Sequence, residues 1–127
     1  MPGILIAVLA GLAVCQAALF LTPVFLHRTL SHRAITMSPA LRLTCRFLIW
    51  IMTGVKPRQW VAVHRRHHAF TDVDGDPHSP LLEGFASVQV GNVVLYRRAA
   101  RDKVTVDKYA KDLPADRWDK LDRKSVV

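Results

Sequence analysis

The sequence is poor in cysteine and, over long stretches, in charge. Its two cysteines, Cys15 and Cys45, each sit in an apolar run, where a free thiol behaves as a small buried hydrophobe. A disulfide framework and a cysteine-based zinc site both need spaced groups of cysteines, and neither is supported here. No charged side chain occurs in residues 1–26, and no Asp or Glu occurs before Asp72. A calcium loop is also missing. Thr71–Pro80 (TDVDGDPHSP) carries spaced acids, but Pro77 stands where such a loop needs glycine. No internal repeat or low-complexity tract is present. At 127 residues the chain has room for one domain at most.

What remains is segregated. Half of the residues are hydrophobic, yet the formal net charge is +8. Residues 3–26 (GILIAVLAGLAVCQAALFLTPVFL) form an uncharged run of 24. About 20 apolar residues suffice to cross a bilayer as a helix. A secretory signal would want a basic start and a shorter apolar core, and the run has neither. We read it as a transmembrane helix whose last turn is kinked or loosened by Pro23. Residues 27–66 then hold eight Lys or Arg and no acid. Basic residues flanking a span stay on the cytoplasmic side, so the amino terminus is expected outside and the following segment inside. A basic chain also suits nucleic acid. Here the bases flank a span and few aromatics interleave them, so a membrane explanation is preferred and no nucleic-acid partner is expected.

Ser38-Pro39 has the form of a helix start, with serine as N-cap and proline at the first position. Leu41–Gly54 (LRLTCRFLIWIMTG) follows, with Arg42 and Arg46 one turn apart. It is too short to span and is expected to lie at the membrane surface, over about residues 40–54, ended by Gly54. Trp60–Phe70 (WVAVHRRHHAF) is expected to be helical, and Thr71–Pro80 is turn chemistry. Gly84–Tyr96 is moderately apolar and is expected to lie against the membrane or the site. From Arg97 the composition shifts: residues 97–124 hold ten bases and six acids. One or two exposed helices broken near Pro114 are expected there, with Arg97, Arg98, Arg101 and Lys103 clustered tightly enough to hold phosphates. The fold class expected is all-α, with one transmembrane helix, one interfacial helix and cytoplasmic helices.

Five of the six histidines lie in two short clusters. His64, His67 and His68 fall at i, i+3 and i+4, which is one side of a helix. Neutral imidazoles held together are good ligands for zinc, copper, iron and nickel. His27 and His32 are five residues apart, about 140° on a straight helix. They reach a common site only if the helix loosens, or they bind two different ions. A pair of interfacial histidines near headgroups is the other reading. Five imidazoles exceed the ligand set usual for one zinc ion, which points to a dinuclear site. Imidazole-rich sites with open positions favour oxygen chemistry on iron or copper. Asp72 and Asp76 are candidates to orient ligand rings through N–H bonds, or are simply turn formers. His78 is isolated and suits a structural or supporting role better than direct ligation.

These residues are recognisable. His27-Arg28-x-x-Ser31-His32-Arg33, then His64-Arg65-Arg66-His67-His68, then Asp76-Pro77-His78-Ser79-Pro80 resemble the integral-membrane fatty acid desaturases, most of all the acyl-CoA (delta-9, stearoyl-CoA-type) branch. The resemblance runs from about Val24 to Tyr96, and more weakly to Trp118. It implies a di-iron centre with His27, His32, His64, His67 and His68 as ligands and dioxygen as co-substrate. It implies removal of two hydrogens from a long fatty acyl-CoA or acyl lipid to give a cis double bond. Electrons would come from a ferredoxin, rubredoxin or cytochrome with its reductase. Arg97 and Arg98 match the position at which the family meets the CoA phosphates.

The departures are specific. The third histidine box and the later spans of the family are missing. Gln89-Val90-Gly91-Asn92 stands where the family has His-Val-Gly-Trp, and one early span is read where the family has two. The chain is therefore expected to be a truncated, amino-terminal portion: a partial desaturase domain over 1–127, with the span at 3–26, the histidine-box region at 27–96 and charged cytoplasmic helices at 97–127. As it stands it is expected to be inactive. The alternatives are a related di-iron hydroxylase or ketolase, or a membrane-anchored metal-binding or basic lipid-binding protein without catalysis.

Overall fold

The computed structural model describes residues 1–115, 118 and 119, and every regular element among them is a helix. Of the charged helices expected at 97–127, residues 116, 117 and 120–127 lie outside the described residues. The chain divides into two compact units, the first holding Met1–Val55 and the second starting at Lys56.

In the first unit, α1 (Pro2–Leu21) runs without a break into a π-helical segment, Thr22–Ser31. The two form one apolar rod of 30 residues, the single candidate membrane span among the described residues. No residue of α1 is buried. A helix that is apolar all round suits lipid rather than water. The sequence expectation of a span over 3–26 holds, and the helix continues past it by one π-helical turn. Pro23 opens that segment. Proline lacks the N–H needed for an i→i−4 bond, and its ring crowds the preceding turn. The ladder answers by widening: the His32 amide donates to the His27 carbonyl at 3.0 Å, a five-residue step. The Thr29 hydroxyl makes the same step to the Val24 carbonyl at 2.8 Å.

α2 (Pro39–Thr53) packs on α1 and on the π-helical segment, burying Cys45 and Ile49. Its ends are those the sequence announces. Ser38 Oγ accepts from the Leu41 amide, and Gly54 closes the helix in the left-handed region at φ 67°.

In the second unit, α3 (Pro57–Ala69) packs on α5 (Phe85–Arg101) and on α6 (Lys103–Tyr109). A short turn of helix, α4 (Pro80–Glu83), precedes α5. Small side chains let the helices approach. Ala62 meets Val106 and Ala110, with Tyr109 and Leu113 around them. Val63 meets Ala99 and Ala100, with Tyr96 alongside. Burying each such valine contributes about 1.5–3 kcal/mol. α5 carries straight through the composition change at Arg97, because arginine is a good helix former. It stops at Asp102, whose carboxylate caps α6 by accepting from the Val104 amide at 3.1 Å.

Candidate metal centre

α3 sorts its side chains into stripes. Arg58, Ala62 and Arg65 recur at i, i+4 and i+7, and all three face α6. Arg58 donates to the Leu113 carbonyl and the Asp107 carboxylate, each at 2.8 Å. Arg65 donates to the Tyr109 carbonyl at 2.9 Å and grips Asp112 with both terminal nitrogens. The histidines sit roughly opposite on the helix wheel, as about 100° per residue requires. Arg58, and Arg65 within the His-Arg-Arg-His-His run, are thus bolts that fix how α3 presents its imidazoles.

His64 and His68, one turn apart, turn their Nε2 atoms toward each other at 3.0 Å. Two nitrogens bound side by side to one ion at about 2.1 Å stand about 3 Å apart, so the pair has the separation of a chelate. Trp60, one turn earlier, stacks on the His64 ring at 4.7 Å between centroids and 15° between planes. That contact limits how far the ring can swing.

His67 is held from the loop. The Asp76 side chain is fully buried, and its carboxylate meets His67 Nδ1 at 2.9 and 3.0 Å. A carboxylate only accepts, so Nδ1 carries the proton and the lone pair of the neutral ring is on Nε2. Asp76 also accepts from the backbone amides of Asp72 (2.9 Å) and His78 (3.1 Å). Burial alone would raise the Asp76 carboxyl. The bonds from His67 and from these two amides outweigh it and hold the pKa below the ordinary 3.8. His78 stacks on the far side of His67, 4.5 Å between centroids and 23° between planes. Burial, with the His67 charge beside it, lowers the His78 pKa; Asp76 opposes this and does not prevail.

The loop that delivers Asp76 is built for the turn. Asp72 takes a positive φ of 59° and Gly75 one of 103°. Short polar and glycine residues tolerate that region best. The Asp72 carboxylate accepts from Ser79 Oγ at 2.7 Å. Of the two candidate acids, Asp76 meets a histidine ring and Asp72 ties the loop. Arg66 anchors the same loop from α3. Its Nε donates to the Gly75 carbonyl at 2.9 Å, and a terminal nitrogen donates to Thr105 Oγ1 at 2.9 Å. Neither role of Arg66 nor the part of Thr105 follows from the sequence, since no spacing rule connects residues 39 apart.

On the π-helical segment of the first unit, His27 and His32 bring their rings to 4.5 Å between centroids, at 64°. On a straight α-helix they would diverge. The π-helical step makes residues five apart neighbours. Of the readings open to the sequence, the loosened helix is the one observed. Arg97 and Arg98 lie exposed near the end of α5.

The donor sets fit a first-row metal such as iron. His67, Asp76 and His78 offer ligand atoms within 4.8 Å of one another. With a metal bound, the closed His67–Asp76 bond would make Asp76 a support and Nε2 of His67 the ligand atom. The model of one protein family, fatty acid desaturase, matches residues 2–125. The chain belongs to the fatty acid desaturase family. It is 36% identical over 83 residues to delta-9 desaturase-like 2 protein of Arabidopsis thaliana, covering 65% of this chain and 25% of that one. It is 39% identical over 80 residues to the chloroplastic palmitoyl-monogalactosyldiacylglycerol delta-7 desaturase of the same plant, covering 63% and 21%. It is 44% identical over 55 residues to the hex-5-enoyl-[acyl-carrier protein] acetylenase of Moorena producens (strain JHB), covering 43% and 17%. This desaturase-family chain thus spans a quarter or less of these relatives' length. No solved structure matches it.

Proposed function

We propose that this chain carries the first two histidine boxes of an iron-dependent acyl desaturase. His27, His32, His64, His67 and His68 are the iron ligands in this reading. Asp76 and His78 hold His67 in place, and Asp72 shapes the loop that presents Asp76. The observation that carries the proposal is the pairing on α3. Asp76 holds the Nδ1 side of His67, while His64 and His68 turn their Nε2 atoms to a chelating separation.

The bound di-iron centre would supply an oxidant, drawn from dioxygen, strong enough for an unactivated methylene. The balance is simple. Two hydrogens leave the acyl chain, two electrons come from a ferredoxin, rubredoxin or cytochrome and its reductase, two protons come from solvent, and dioxygen leaves as two waters. The protein's own residues orient and exclude. Asp76 fixes the proton on Nδ1 of His67, Trp60 packs against His64, and the Arg58 and Arg65 ties hold α3 against α6. The substrate in this reading is a long-chain acyl-CoA or acyl lipid, with Arg97 and Arg98 as the residues that meet the CoA phosphates. The family and the apolar rod support membrane association. The acid-free, basic stretch after the rod supports a cytoplasmic side for the histidine boxes.

The test is product analysis. Membranes holding a longer version of the chain that includes a third histidine box, supplied with dideuterated stearoyl-CoA, dioxygen, ferredoxin, its reductase and NADPH, are assayed by mass spectrometry. A cis monoene supports the proposal. A hydroxylated acid with no monoene would assign the related hydroxylase chemistry. Neither product, from membranes that nonetheless bind iron, would favour a non-catalytic metal-binding role for this chain.

A further inference from the structure

α5 has two faces. Leu95, Ala99 and Ala100 are buried, the alanines against Val63. The other face is open. Val90, Val93 and Val94 are exposed at 90%, 61% and 64%. With about 100° per residue these three share an arc of about 100° with Arg97 and Arg101. One helical face therefore begins apolar and ends in arginine. α4, which packs on α5, adds Leu81 and Leu82, also exposed. Exposed valines and leucines grouped in this way mark an interaction surface rather than the scatter normal on a soluble protein.

The charge on this face has one sign. Between Glu83 and Asp102 there is no acid, while Arg97, Arg98 and Arg101 fall within that stretch and Lys103 follows it. Arg101 and Lys103 are exposed and pair with nothing among the described residues. An apolar stripe running into unpaired bases is the pattern of a helix that lies in a membrane interface, with its apolar side at the acyl boundary and its bases at phosphate level. The occupant this face complements is an anionic lipid surface. The chain also carries a candidate span. Tethering turns any weak lipid affinity of the second unit into an intramolecular event.

We infer that the open face of α4 and α5 docks on an anionic bilayer, with Leu81, Leu82, Val90, Val93 and Val94 in the acyl boundary and Arg101 and Lys103 on lipid phosphates. The inference needs no iron and no turnover.

The experiment is spin labelling of the whole chain in vesicles of three parts phosphatidylcholine to one part phosphatidylglycerol. Cys45 is buried and Cys15 is exposed, so only Cys15 needs replacing. Labels go on Val90→Cys and Val94→Cys in the Cys15→Ser background, with Lys111→Cys on an exposed position as the aqueous reference. The expected result is an oxygen-to-nickel-chelate collision ratio several-fold higher at 90 and 94 than at 111. The double reversal Arg101→Glu with Lys103→Glu should lower it, and purely zwitterionic vesicles should do the same. Free nickel access at 90 and 94 would overturn the inference. So would exclusion of both reagents, which would mean that polypeptide covers the face, and so would indifference to charge reversal. Ferrous binding measured on the same samples separates this outcome from the fate of the desaturase reading.

Discussion

Replacing Asp76 is the sharpest probe of how the loop serves the histidines. Its side chain is fully buried, and its carboxylate receives His67 Nδ1, the Asp72 amide and the His78 amide. A hydrogen bond to a charged partner is worth about 1.5–3 kcal/mol, and a buried donor left without a partner costs about 1–3 kcal/mol. The three bonds share one carboxylate and do not add. The His67 side chain is 26% exposed, so water recovers part of its loss. Asp76→Ala should therefore cost about 2–4 kcal/mol. Asp76→Asn keeps one accepting oxygen but turns an NH₂ toward a donor, and should cost about 1–3 kcal/mol. The assay is urea unfolding in detergent micelles, followed by tryptophan emission. The pH dependence has a fixed sign. The folded carboxyl titrates below its ordinary 3.8. Its stabilisation is fully present above that value and fades as pH falls through the lower folded one. The gap between wild type and Asp76→Asn should stay flat, as far as Asp76 is concerned, from about pH 5 upward and narrow below about pH 4. A cost under about 0.5 kcal/mol, or a gap that widens in acid, would refute the reasoning.

Three further outcomes follow from the same geometry. Arg66→Ala should destabilise by about 1–2 kcal/mol, since it frees the Gly75 carbonyl and Thr105 Oγ1 at a part-exposed site where screening limits the loss; the same unfolding assay reads it. Gly75→Ala should cost about 1–3 kcal/mol, because φ is +103° and a Cβ would come within 3.2 Å of the Phe70 ring. Tyr96→Phe should be neutral or stabilise by up to about 1 kcal/mol. The Tyr96 hydroxyl is buried without a partner among the described residues, and burial pushes its pKa up. A clear loss of stability on removing that oxygen would mean that it has a partner.

Much of this architecture could be read from local chemistry. The uncharged run is a candidate span, Ser38 and Gly54 bound α2 where their residue types say they should, and the i, i+3, i+4 histidines share a stripe of α3. What could not be read depends on contacts distant in sequence or on a rare backbone form. Pro23 signalled a disturbed helix, but nothing in the letters chose a π-helical turn over a kink, and that choice brings the His27 and His32 rings together. Asp72 and Asp76 looked alike as loop acids. Only the folded turn, with its two positive-φ residues, gives His67 to one and Ser79 to the other. The boundary drawn at Arg97 from composition vanished within α5, since a change of charge does not interrupt a helix that its buried alanines hold in place.

The central claim is that the five clustered imidazoles hold iron. Iron K-edge absorption on the membrane-reconstituted chain, loaded anaerobically with ferrous ion, addresses it directly. The account predicts the outer-shell scattering of imidazole rings, reduced in His64→Ala with His68→Ala and again in His27→Ala with His32→Ala. A spectrum of oxygen ligands alone, unchanged by either pair of substitutions, would contradict it.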